Sequence, residues 1–207
     1  MTRPHRRTQQ ERRAATVTKL IDATLAAIGE VGYHRASVQE ICGRAGLSTG
    51  AMFRQFDSRL DLIVRTAEAI VARQLDGFRA ATAQLGAADD TLDVALRFLR
   101  QAQSSALTHA LREIYLAARS DDELRSRITP IAESYYRDIV SAVNEAEVLA
   151  NFPEQVREPL FFAMLYVFSG EAVVRGVYTR PDLDDAVLGL LEDMLRTYAE
   201  RGPSSGG

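Results

Sequence analysis

Residues 33–62 read YHRASVQEICGRAGLSTGAMFRQFDSRLDL, and nearly every one of them has a place in a pair of short helices joined by a tight turn. Ser37 and Glu40 form an S-x-x-E capping box, in which each side chain can satisfy an orphan backbone N–H of an opening helical turn. Val38, Ile41, Cys42 and Ala45 follow at helical spacing, so one face is apolar while Gln39, Glu40, Gly43 and Arg44 look outward. Gly46 ends this helix, because glycine takes the left-handed conformation that closes a helix without steric cost. Leu47 can fill the gap between the two helices, and Ser48 can cap the second one.

That second helix is brief. Thr49, Gly50, Ala51, Met52, Phe53, Arg54, Gln55 and Phe56 place Met52 and Phe56 four apart, where they can pack inward and leave the other side chains to face a partner. Asp57 and Ser58 break the pattern, and Ser58 with Asp61 makes another capping box opening a longer helix. Arg59 falls in its first turn, where a cation is poorly placed against the helix dipole and better placed facing a phosphate.

The segment resembles the DNA-binding domain of the TetR family of bacterial transcriptional regulators. The resemblance is carried by Gly32 and Tyr33, Ser37, the run Ala45 to Ser48, Gly50, Phe53, Phe56, and Ser58 with Arg59, within roughly the first 65 residues. It implies that Ser37, Gln39, Ser48, Thr49, Gly50, Ala51, Phe53, Arg54, Gln55 and Arg59 meet double-stranded DNA. Family members usually carry tyrosine at the position of Phe53, often histidine at that of Gln55, and lysine at that of Arg59. Phe53 therefore offers only apolar contact, for instance to a thymine methyl or a sugar, whereas Arg59 keeps the charge and gains a fork suited to phosphate oxygens.

Charge supports the same reading independently. Up to Leu60 the chain has ten Lys or Arg against five Asp or Glu, a net of +5, while the remaining 147 residues carry −8. The positive charge thus sits with the motif, although the whole chain is acidic at −3. Arg3, Arg6, Arg7, Arg12 and Arg13 form a basic arm over residues 1–15, suited to phosphate or minor-groove contacts, the alternative being a disordered, solvated terminus.

At 207 residues and 46% hydrophobic content, the chain can bury one sizeable core or two smaller ones. An arginine-rich start with no apolar run after it, and an apolar stretch at 160–170 too short to span a bilayer, make a cytoplasmic protein without a membrane partner the expectation. One cysteine excludes an internal disulfide framework. Helical periodicity dominates and no alternating strand pattern stands out, so the expected fold is all-α: a helix-turn-helix domain over residues 16–62 and a helical regulatory, ligand-binding and dimerisation domain over 63–201. Helices are expected near 16–31, 37–45, 49–56, 58–85, 91–103, 108–119, 122–150, 153–179 and 182–201, with a break at 86–90 and a disordered Gly and Ser tail at 202–207.

Pro130 and Pro159 fall inside helical patterns, where each removes a backbone donor and opens space between neighbours. Aromatics gather nearby, and Phe98, Ile114, Tyr115, Tyr135, Phe162 and Tyr166 are the candidate lining for a small apolar or aromatic effector, the alternative being that they fill a core. Val167, Gly170, Val174 and Val177 stripe one late helix and Val187, Leu190 and Met194 the next, a pattern that serves intramolecular packing or a four-helix interface. The family resemblance favours the interface, and hence a homodimer on an inverted-repeat operator.

Enzymatic readings find little support. His5, His34 and His109 are scattered without metal-ligand spacing, and no phosphate-binding glycine pattern occurs, so neither a metal nor a cofactor is expected. Asp121, Asp122 and Glu123 are better explained by a Ser120–Glu123 capping box than by metal binding. Cys42 lies on an apolar face beside Ile41 and reads as inert packing. The expected function is a ligand-released repressor. The alternative is an all-helical small-molecule binding protein whose DNA-binding domain is vestigial.

Overall fold

The computed structural model describes residues 8–83 and 91–201; Arg3, Arg6 and Arg7 of the arm, the expected break at 86–90 and the tail from 202 lie outside them. Among the described residues the chain forms helices α1 (Gln9–Val31), α2 (Val38–Ala45), α3 (Thr49–Phe53), α4 (Arg59–Thr82), α5 (Thr91–Gln103), α6 (Ala106–Ala118), α7 (Asp122–Glu145), α8 (Glu154–Arg175) and α9 (Pro181–Arg201), and no strand.

The helix ends follow local chemistry, with several departures from expectation. α1 begins seven residues before Thr16, because Thr8 and Glu11 make a reciprocal capping box: Glu11 N–H donates to Thr8 Oγ1 at 3.2 Å and Thr8 N–H to Glu11 Oε2 at 2.7 Å. Arg12 and Arg13 are therefore helical and not part of an extended arm. At α2, Ser37 Oγ accepts from Glu40 N–H as expected, but the Glu40 carboxylate turns to Arg44 at 2.6 Å, leaving half of the box. At α7 the cap is Asp121, whose carboxylate accepts from Leu124 N–H at 2.9 Å, while Ser120 donates to the Ala117 carbonyl. Further along, α7 stops at Glu145 instead of 150, and Glu147 in the following turn takes a φ of +53°. Pro130 and Pro159 both lie within helices, α7 and α8 respectively.

Two compact units result. The first joins residues up to Arg73 to Ala106–Glu133, and the second joins Gln74–Ser105 to residues from Ser134 onward. In the first, Leu20 and Ile28 of α1, Ile41 of α2, Met52 of α3, Leu62, Ile63 and Ile70 of α4, Ile114 of α6 and Leu124 of α7 share one core and are fully buried. Each such side chain contributes about 1.5–3 kcal/mol relative to exposure. Thr24 and Thr66 are buried with them at no hydrogen-bonding cost, since each hydroxyl donates to the carbonyl four residues earlier. The helix-turn-helix is thus one side of a core whose other side is supplied by α6 and the start of α7, which the expected boundary at residue 62 did not include.

In the second unit Phe78, Leu96, Phe152, Phe161, Leu165, Phe168 and Leu188 form the core. An ion-pair network ties its helices together: Arg100 of α5 donates from Nε to Glu171 of α8 at 2.7 Å and from Nη1 to Asp185 of α9 at 3.1 Å, while Arg175 reaches Asp184 at 3.0 Å. Arg100 and Glu171 are both largely buried, and Arg175 also reaches Glu171 at 3.5 Å, so each charge of this pair has a second partner.

Candidate nucleic-acid interface

The turn between α2 and α3 forms as the sequence requires. Gly46 sits at φ +64°, ψ +35°, and the following N–H of Leu47 returns to the Cys42 carbonyl at 3.0 Å. Ser48 Oγ then accepts from Ala51 N–H at 3.1 Å and opens α3. Ile41, Cys42 and Met52 point into the core; burial of Cys42 pushes its thiol pKa up, consistent with packing and not with a reactive thiolate.

What remains outside is a polar face. Gln39, Ser48, Thr49, Gly50 and Arg54 are exposed, and Phe53 keeps 53% of its surface open although it is aromatic. Between α2 and α3 lies a groove of about 490 Å³ lined by His34, Ser37, Val38, Gln39, Thr49, Phe53 and Arg59. His34 and Val38 were absent from the expected contact set. His34 sits just after Tyr33 and three residues before the Ser37 cap, and its ring meets Tyr33 edge-on at 5.3 Å.

Three residues of the expected set behave differently. Ala51 is buried, since on this five-residue helix it shares the inward side with Met52. Gln55 lies past the end of α3, and its Oε1 accepts from Arg13 Nε at 3.1 Å, fastening α1 to the reading helix. Arg59 turns back to the protein: Nε donates to the Ala36 carbonyl at 2.8 Å, Nη2 to the Tyr33 carbonyl, and the guanidinium carbon lies 4.6 Å from the Tyr33 ring centre. Of the other cations here, Arg44 is neutralised by Glu30 and Glu40, both at 2.6 Å. Arg54 has no ion-pair partner among the described residues, and its charge faces solvent.

The expected effector lining is divided. Ile114 is fully buried in the core of the first unit and Tyr115 packs against that same cluster, because α6 belongs with the helix-turn-helix. Phe98, Tyr135 and Phe162 pack in the second unit, where Tyr135, Tyr136, Phe162 and Tyr166 form a chain of ring contacts at 5.2, 5.5 and 5.9 Å and Phe98 meets Phe78 at 5.9 Å. Burial pushes the Tyr135 phenol pKa well up, so it stays protonated and available as a donor. Tyr166 is 67% exposed and stands at the edge of this cluster.

The expected interface stripes lie on the surface. Val167, Gly170, Val174, Leu190 and Met194 are exposed, Val177 is 94% exposed, and Val187 is half-buried at the margin. Val173, Tyr178 and Tyr198 extend the exposed apolar area on and beside the same two helices. Among the described residues no helix is long and apolar enough to cross a membrane, and no three His, Cys, Asp or Glu side chains gather as a metal site would require.

Residues 20–66 match the profile of the bacterial regulatory proteins, tetR family. An uncharacterized HTH-type transcriptional regulator of Mycobacterium tuberculosis is 36% identical over 189 residues, covering 91% of this chain and 97% of that protein. The HTH-type transcriptional regulator CymR of Pseudomonas putida is 34% identical over 135 residues, 63% of this chain and 64% of its own. Among solved structures, the fatty acid degradation regulator FadR of Bacillus halodurans superimposes with a TM-score of 0.61 at 18% identity, over 89% of this chain and 94% of that one, a likeness of fold.

Proposed function

Because the chain belongs to the TetR family of bacterial regulatory proteins, a family of DNA-binding transcriptional regulators and not of enzymes, we propose that it acts in the cytoplasm as a homodimeric repressor of an inverted-repeat operator. The observation that carries this reading is the outward polar face of α2 and α3, where Arg54 has no ion-pair partner among the described residues and Phe53 stays open, while Ile41, Met52 and Phe56 are buried in the core. Thr49, Gly50 and Arg54 approach base edges in the major groove; Ser37, Gln39, Ser48 and the free amide of Gln55 position the helix on phosphates. Phe53 rests on a thymine methyl or a deoxyribose, the only contacts its ring can make.

The exposed apolar faces of α8 and α9 pair with their copies in a second subunit as a four-helix interface. Two reading helices then reach successive major grooves at a spacing of about 34 Å, which requires an inverted repeat. An apolar or aromatic effector carrying one or two polar groups lodges among Phe98, Tyr135 and Phe162, and releases the DNA to the extent that it prefers the non-binding conformation. A hundredfold release needs about 3 kcal/mol of that preference.

The test is selection of binding duplexes from a random pool, followed by a mobility shift across salt concentration. An enriched inverted repeat is expected, and a dimer neutralising about eight phosphates gives a slope near −7 for log affinity against log salt. Failure to enrich any duplex, or an affinity indifferent to salt, refutes DNA binding.

A further inference from the structure

The first turn of α4 carries two charged side chains that hold different parts of the first unit. Arg59 donates to the carbonyls of Tyr33 and Ala36 and covers the Tyr33 ring. These residues make the turn between α1 and α2; Ala36 is fully buried and immediately precedes Ser37, the cap of α2. The same turn is steadied from α6, where the Glu113 carboxylate accepts from Tyr33 N–H at 3.4 Å. Two residues after Arg59, Asp61 accepts from the Ser58 hydroxyl at 2.8 Å and pairs with Arg127 of α7.

Charged donors on neutral, partly buried carbonyls are short, directional contacts that fix geometry. Two of the three Arg59 nitrogens are engaged in this way, Nε and Nη2, and both are turned toward the protein. The chain of contacts therefore runs Arg127 to Asp61, along one helical turn to Arg59, and from there to the segment that sets where α2 begins.

We propose that this turn is a relay: Arg127 and Arg59 are positioning residues that fix the placement of α2 on the operator, and Arg59 is not the phosphate ligand that its sequence position implies. The inference rests on the DNA-binding reading above. Arg127 lies on a helix outside the helix-turn-helix, so it governs operator affinity through Asp61 without touching DNA.

The experiment measures affinity for the duplex enriched from the random pool, between about 50 and 200 mM salt, for the parent, Arg59→Gln, Arg127→Gln and the double variant. Each single variant is expected to weaken binding about tenfold, the scale of a lost charged hydrogen bond. Both should keep the parent's salt slope, and the double variant should lose far less than the hundredfold that independent effects would give. Arg59→Lys, which keeps the charge but cannot span both carbonyls and cover the ring, should bind as weakly as Arg59→Gln. A slope shallower by about 2 in Arg59→Gln, one phosphate per subunit, overturns the proposal. So do parental affinity in Arg59→Lys or fully additive losses in the double variant. Circular dichroism confirms folding at the assay temperature; if Arg59→Gln unfolds, Arg127→Gln against Arg127→Lys decides, since a parental affinity in Arg127→Gln also refutes the relay. If the parent enriches no duplex, the DNA-binding reading fails and the relay with it; a parent that binds while these variants bind equally well refutes the relay alone.

Discussion

Two glycines three residues apart, Gly43 within α2 and Gly46 just past its end, should respond to the same substitution with opposite signs. At Gly46, φ +64° places an alanine in the left-handed region, where a Cβ meets the chain's own carbonyl at a cost of about 1–2 kcal/mol. At Gly43 the backbone is helical, and alanine there is favoured over glycine by about 0.5–1 kcal/mol. Added methyl groups meet nothing within 4 Å at either position, so packing contributes to neither result and backbone conformation alone sets the sign. For a chain of this length about 2–4 °C accompanies each kcal/mol, which puts Gly46→Ala about 2–8 °C below the parent and Gly43→Ala about 1–4 °C above it. Thermal melting at one fixed protein concentration reads both, the concentration being held because the midpoint of the proposed dimer would depend on it. A Gly46→Ala variant as stable as the parent would show that the turn does not need its left-handed residue, and the account of how α2 hands over to α3 would fall.

Other consequences are as direct. Arg127 and the Ser58 hydroxyl hold the Asp61 carboxyl below its usual range, so its contribution is present above the unfolded value near pH 4 and lost as pH falls through the lowered folded value; melting curves of the parent and Asp61→Asn should differ at neutral pH and converge in acid, and a constant gap would contradict this. Val174→Glu and Leu190→Glu place charges on the exposed stripe and should give monomers in sedimentation that lose tight operator binding with the reading helix intact; undisturbed dimers would move the interface elsewhere. Tyr135→Phe and Phe162→Ala should blunt effector release at least severalfold while ligand-free DNA affinity stays near the parent's, and a parental effector response in both would return these rings to core packing.

The sequence was most legible where one residue type answers one geometric need. Ser48, Gly46 and the Met52 side chain were read correctly because a cap, a left-handed turn and an inward position each admit few alternatives. Less legible were the residues for which several partners compete. Glu40 could close a capping box or pair with Arg44, and spacing alone does not rank the two; Arg59 could face a phosphate or two backbone carbonyls, which depends on where a turn 23 residues earlier folds back. Thr8 and Glu11 carry the same box signature as Ser37 and Glu40, but the arginines around them suit an extended arm equally well, and spacing alone does not choose between the two. Ile114 and Tyr115 were grouped with the second-unit aromatics by composition, whereas the stripe of Ala110, Leu111, Ile114 and Ala117 on α6 fits the face of α1. Long-range partnership of this kind leaves no periodic trace in a single sequence.

Supplying the far side of the helix-turn-helix core from α6 and α7 also sets a timetable for synthesis. The first 73 residues emerge without Leu111, Ile114, Leu124 and Ile128, and the apolar faces of α1 and α4 have no complete partner until Glu133 has followed. At about 5–20 residues per second, those intervening 60 residues take about 3–12 s to add. Nascent chains therefore carry an unfinished helix-turn-helix core for seconds, open to chaperones and proteases, and complete that core only when more than half of the protein has been made.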